Sequence, residues 1–212
     1  MAVYDLEEQE QLDELKSWWK QNRSLITLIV VAASLTIAGI QGWRYYQDKQ
    51  GLDAGVLYAQ LQTAMGGGDL KKVQDIASSM IESYPGSAYS AYAALAGARA
   101  AYSSGDATAA RARLQWVADN AKEDELREIA RLRLATVLLD EKKYDEALKL
   151  LETRHGDPMK ALYANLKGDV LAAQGKNGEA RAAYQLALDR SDAKGSLRSL
   201  VQLKLDALGG AK

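Results

Sequence analysis

Cysteine and phenylalanine are absent, histidine occurs once and proline twice in 212 residues. Without cysteine there is no disulfide, thiol nucleophile or zinc–thiolate site. A lipoprotein anchor, which needs a cysteine to acylate, is excluded too. The two prolines, Pro85 and Pro158, leave long stretches with no obligatory helix breaker. A charge excess of either sign is also missing, with 27 Lys and Arg against 28 Asp and Glu. Nucleic-acid binding wants a strongly basic face, and none is expected here. What remains is rich in Ala, Leu, Gln, Glu, Lys and Arg, a composition that favours helix over strand.

The charges are also missing locally. Arg23 and Arg44 bracket Ser24 to Trp43, twenty residues with no charge at all. At roughly 1.5 Å per residue, a helix of this length crosses a hydrocarbon core of about 30 Å. Its Leu, Ile and Val residues fall at nearly every angle around the axis, so it requires an apolar solvent on all sides. Residues 24–43 are therefore read as one transmembrane helix and an uncleaved signal-anchor. Residues 1–23 are acidic, unlike the basic start of a cleaved signal. Leu12, Leu15, Trp18 and Trp19 in this tail have the spacing of a short amphipathic helix in the membrane interface. Trp18 and Trp19 before the span, and Trp43, Tyr45 and Tyr46 after it, form two aromatic belts. Lys16, Lys20 and Arg23 precede the span, whereas Arg44 and Lys49 follow it. The larger number of basic residues on the N-terminal side places residues 1–23 in the cytoplasm and residues 44–212 outside it.

From Tyr45 to Met65 the pattern reads as continued helix, a stiff attachment in which Gly51 and Gly55 leave room for a bend. After the break at Gly66-Gly67-Gly68 the chain repeats. Val73, Ala110, Ala147 and Ala180 stand 37, 37 and 33 residues apart. Twelve positions earlier come Leu61, Ala98, Ala135 and Gly168; nine earlier come Ala64, Ala101, Leu138 and Leu171; seven later come Met80, Val117, Arg154 and Ala187. The turns coincide as well, at Gly68-Asp69, Gly105-Asp106, Lys142-Lys143 and Gly175-Lys176. A period near 34, with small residues where two helices touch, is the tetratricopeptide pattern. The expected fold is all-α: one transmembrane helix followed by a tetratricopeptide-like α-solenoid of three to four helical hairpins plus a capping helix. Leu197, Leu200, Val201, Leu203, Leu205 and Leu208 form that closing helix, and 209–212 should fray.

Little in this sequence points to catalysis. His155 lies in a turn, Arg154-His155-Gly156-Asp157-Pro158, with no nucleophile elbow and no metal-ligand spacing around it. Gly66-Gly67-Gly68-Asp69 lacks the Lys-Ser/Thr of a phosphate loop and follows no strand. No catalytic, metal or cofactor residue is assigned, and no cofactor is expected. A hairpin stack instead offers a concave groove lined by the first helix of each unit. By the alignment its inward residues are Tyr92, Leu95, Arg99 and Tyr102, then Ile129, Leu132, Thr136 and Leu139, then Leu162, Asn165 and Asp169. Such a mixed surface is not the all-basic clamp used for acidic C-terminal peptides and suits an extended segment or a partner helix. Arg111 and Arg113, like Arg127, Arg131 and Arg133, are read as solvated faces and ion pairs rather than an anion site.

Taken in order, these features resemble the YfgM family, the single-span ancillary subunit of the bacterial SecYEG translocon. The resemblance is carried by the acidic tail and by the span closing on Gly42-Trp43-Arg44-Tyr45-Tyr46. It is also carried by Arg131-Leu132-Arg133-Leu134-Ala135 before the Ala147 helix, and by Leu166-Lys167-Gly168-Asp169 leading to Gly175, Ala180, Arg181 and Tyr184. It implies an inner-membrane protein with a periplasmic domain, associated with SecYEG and with the membrane-anchored chaperone PpiD. Its role would be to assist client polypeptides as they leave the translocon. A scaffold for another envelope assembly and a regulatory anchor acting through the cytoplasmic tail are the alternatives for this architecture.

Overall fold

A computed structural model describes residues 2–192 and 195–209, with side chains from Glu10 onward. Lys212 and its two predecessors, expected to fray, lie outside the described residues. Among the described residues there are nine α-helices and no strand. They are α1 (Ala2–Gly66), α2 (Leu70–Ser83), α3 (Ala88–Ser103), α4 (Ala107–Asn120), α5 (Asp124–Asp140), α6 (Tyr144–Leu151), α7 (Lys160–Ala173), α8 (Asn177–Arg190) and α9 (Ser196–Ala207), with a 3-10 turn at Asp157–Met159. The chain divides into two compact units, Met1–Gly51 and Leu52–Lys212.

The first unit is helical throughout its described length. The tail, expected to hold a separate short helix, belongs to α1 without a break. The reason is local: no Gly or Pro occurs before Gly39 to interrupt it. α1 is long and apolar enough to cross a membrane. Leu25, Leu28, Ile29, Val30, Leu35, Ile37 and Ile40 are all exposed along it. The hydroxyls inside this run are satisfied by the helix itself. Thr27 donates to the Arg23 carbonyl at 2.7 Å, Ser34 to Val30 at 2.8 Å and Thr36 to Ala32 at 2.8 Å. A hydroxyl bonded in this way carries little cost into hydrocarbon.

The second unit is a series of antiparallel hairpins: Leu52–Gly66 of α1 with α2, then α3 with α4, α5 with α6, and α7 with α8. Every hairpin turns in the same way. Gly68, Gly105, Lys142 and Gly175 take φ of 71°, 84°, 61° and 76°. The next residue's N–H reaches back five positions in each case: Asp69 to Ala64, Asp106 to Ala101, Lys143 to Leu138 and Lys176 to Leu171, at 2.8–3.1 Å. This is the Schellman ending of a helix, repeated at the four aligned positions. In the first two turns the following Asp also caps the next helix, Asp69 accepting from the Lys72 N–H and Asp106 from the Ala109 N–H.

Three apolar clusters lie along the series. Ala54, Leu61 and Ala64 meet Val73, Ile76, Ala77, Met80, Ala93 and Ala100 in the first. The central cluster joins α3 to α7, and the last joins α7, α8 and α9. Val73, Ala110, Ala147 and Ala180 are all buried, as their shared repeat position requires. Helix crossings are close where side chains are smallest. A Cβ on Gly168 would sit 2.4 Å from Cε1 of Tyr184, and one on Gly97 would sit 2.6 Å from Cβ of Ala77. Ser90, buried completely, donates to the Met80 and Tyr84 carbonyls at 3.0 and 2.7 Å and so closes the end of α2.

One repeat position departs from the pattern. Arg154 aligns with Met80, Val117 and Ala187, which are buried in helices, yet α6 ends at Leu151 and Arg154 is exposed. The His155-Gly156-Asp157-Pro158 stretch cuts the helix to eight residues. α9 behaves as a cap: Val201 is buried, and Leu197, Leu205 and Leu208 pack on the last cluster. Leu200 and Leu203 face solvent.

Candidate interaction groove

The first helices of the second and third hairpins, α3 and α5, enclose a cavity of about 310 Å³. Leu95, Ala98, Arg99 and Tyr102 line it from α3, Leu114 from α4, and Arg133, Thr136 and Val137 from α5. Helical spacing of three and four residues puts the α3 residues on one stripe. Leu95, Ala98, Leu114 and Val137 are buried and make an apolar floor. Arg99, Tyr102 and Arg133 stand at its rim, exposed. The Tyr102 hydroxyl donates to Asp140. That bond, then burial and the carboxylate's charge, raise the Tyr102 pKa above its ordinary value. Partial burial and then the charge of Arg99 lower that of Arg133.

Four residues expected on the groove thus meet in one cavity: Leu95, Arg99, Tyr102 and Thr136. Tyr92 lies on the same α3 stripe but belongs to an aromatic group. Its ring centroid is 6.4 Å from that of Tyr58, which stacks on Tyr89 at 5.1 Å. Leu132 and Leu139, like Ile129, are half-buried against the central cluster. Asn165 and Asp169 are engaged from another direction. Lys204 of α9 donates to Asn165 at 3.0 Å and to both Asp169 oxygens at 2.7 and 2.8 Å, and the Tyr184 hydroxyl donates to Asp169 at 2.8 Å. Leu162 is exposed. Arg133, Tyr58 and Tyr89 escaped the alignment. Arg133 is one residue from Leu132, and the charge beside an apolar residue on a groove-facing helix is the signal that would have found it.

The sequence-predicted belt residues Trp18, Trp19, Trp43, Tyr45 and Tyr46 are all exposed on α1, with the Trp43 and Tyr46 rings 6.1 Å apart.

A second, polar cavity of about 810 Å³ surrounds the α6–α7 turn. His155 belongs to it but is held in place. Its ring stacks on Tyr163 at 4.1 Å, and Nδ1 lies 2.7 Å from the Thr153 carbonyl. Glu128 accepts from the Gly156 N–H at 2.8 Å, while its own carbonyl accepts from the Tyr163 hydroxyl at 2.8 Å. Burial pushes the Tyr163 pKa up to about 12. The histidine therefore helps to pin the turn that ends α6. Among the described residues no group of three His, Cys, Asp or Glu is placed to hold a metal.

A family model for a tetratricopeptide repeat-like domain matches residues 16–210. An ancillary SecYEG translocon subunit of Neisseria gonorrhoeae is 34% identical over 98% of this chain and 100% of its own. Its namesakes in Haemophilus influenzae and Escherichia coli are 30% identical over 87% of this chain and 90% of theirs, and 27% identical over 98% and 99%. A solved structure of a MamA RS-1 ArsTM double mutant superposes with a TM-score of 0.56 at 17% identity, covering 73% of this chain and 88% of the other. At that identity the likeness concerns the fold alone.

Proposed function

Because this chain belongs to the family of ancillary SecYEG translocon subunits, we propose that it is a membrane-anchored adaptor at that translocon, working with PpiD on newly translocated polypeptides. The observation that carries this reading is the match over 98% of this chain and 100% of a relative of that name. Support from the residues is of two kinds. Residues 24–43 supply a span for the bacterial inner membrane, between aromatic belts. The hairpin unit supplies a groove of mixed chemistry between α3 and α5 that suits an extended chain. The tail of residues 1–23 is assigned to the cytoplasm and residues 44–212 to the periplasm, in keeping with the distribution of basic residues near the span.

The action is binding rather than catalysis: shielding apolar stretches of a client on the groove and handing them on. Two experiments test it. Copurification from gently solubilised membranes should recover translocon subunits together with PpiD. Recovery of a different envelope assembly in their place would refute the adaptor assignment. Protease added outside spheroplasts should degrade the hairpin unit; protection there, with cleavage only after lysis, would reverse the topology.

A further inference from the structure

The groove between α3 and α5 carries two positive charges, and among the described residues no carboxylate is bonded to either. Arg99 on α3 and Arg133 on α5 line the same cavity. Elsewhere in the unit Arg111 pairs with Glu141 at 3.2 Å and Lys204 with Asp169 at 2.7 Å. Asp140, the carboxylate beside the groove, is taken by the Tyr102 hydroxyl. Two like charges held close repel each other, and an anion placed between them removes that repulsion. The guanidinium fork fits a carboxylate better than any other common side chain. Beneath the arginines the floor is aliphatic, from Leu95, Ala98, Leu114 and Val137. The stripe continues past Arg99 in both directions along α3, to Tyr92 and to Tyr102, each 45% exposed. A chain can therefore run through the site rather than end in it.

We propose that Arg99 and Arg133 together hold the side-chain carboxylate of an aspartate or glutamate within an extended segment of a partner polypeptide, whose adjacent aliphatic residue rests on the Leu95–Val137 floor. The proposal rests on the adaptor reading and adds the chemistry that the groove selects. It predicts recognition of acid-plus-aliphatic segments rather than of apolar segments in general.

The test uses the full chain in detergent micelles and fluorescent peptides blocked at both ends. One is acetyl-Ser-Gly-Leu-Asp-Leu-Gly-Ser-amide; the others carry Asn or Lys in place of Asp. The Asp peptide should bind about tenfold more tightly than the Asn peptide, with the margin shrinking as salt is added. Replacing both arginines with glutamine should erase the margin. Replacing both with glutamate should transfer the preference to the Lys peptide, an inversion that general loosening of the fold would not produce. Equal binding of Asp and Asn peptides to the wild-type chain would overturn the proposal, as would a preference that survives the double glutamine change. A fourth peptide, the Asp sequence with its C-terminal carboxylate left free, is the control: binding seen only with that peptide would overturn the proposal as well. If translocon subunits copurify with the wild-type chain while the peptides show no carboxylate preference, this inference fails and the adaptor reading stands.

Discussion

Lys142 and Gly105 occupy the same place in successive hairpins, 37 residues apart, and both adopt left-handed backbone, φ 61° and 84°. Glycine enters that region freely; a residue with a Cβ enters it at a cost of roughly 1–2 kcal/mol. Lys142→Gly should therefore stabilise the hairpin unit by about 1 kcal/mol, part of the gain being offset by the freer unfolded chain. Gly105→Ala should destabilise it by a similar amount. Urea denaturation of the two variants, read at the midpoint with the slope unchanged, checks both signs.

Gly168 and Tyr184 fix the crossing of α7 and α8. An added methyl group at Gly168 would lie 2.4 Å from the Tyr184 ring, too near for any relaxed contact. Tyr184 cannot simply swing away, because its hydroxyl is bonded to Asp169 and its ring is buried. Gly168→Ala should cost about 2–3 kcal/mol, and Gly168→Ala combined with Tyr184→Leu should cost less than the sum of the single changes. Additive losses in a thermal-denaturation cycle would show that the two residues do not constrain one another.

Alkaline stability follows from Tyr163. Its ordinary pKa is 10.0 and burial raises it to about 12 in the folded chain. The folded state holds this proton more tightly than the unfolded state does. The resulting stabilisation is complete below pH 10 and disappears as pH climbs through the folded value near 12. Unfolding midpoints should thus fall between about pH 10 and 12, and Tyr163→Phe should flatten that fall. Tyrosinate absorbance, followed with pH, should show Tyr163 ionising well above the ordinary tyrosine value of 10.0.

How much of this was legible in the sequence differs from element to element. The hairpin turns were readable because a left-handed residue and a following cap leave a mark in the sequence, as Gly105-Asp106 does. Even Lys142 could be placed, since its neighbours in the repeat fixed the register. The short α6 was not readable from periodicity: Arg154 sits in register, and only the His155–Pro158 turn removes it from the helix. The groove was half legible. Stripe spacing on α3 located Leu95, Arg99 and Tyr102, but on α5 it could not separate Leu132 from Arg133, which are adjacent and differ only in how the helix is rotated. Asn165 and Asp169 depend on Lys204, 35 or more residues further along, and no local pattern announces such a contact. The continuous α1 shows the opposite case: amphipathic spacing around Trp18 invited a separate helix, while the lack of any breaker before Gly39 favoured a single one.

The face around Arg99 and Tyr102 is proposed as the working surface of a translocon adaptor. Its most direct test is a photocrosslinking residue placed at Tyr102, compared with the same residue at Gln185, exposed on α8, in native membranes. Adducts with translocon subunits, PpiD or chains in export are expected from Tyr102, and their absence or marked reduction from Gln185. Equal adducts from both positions, or none from Tyr102 while translocon subunits still copurify, would contradict it.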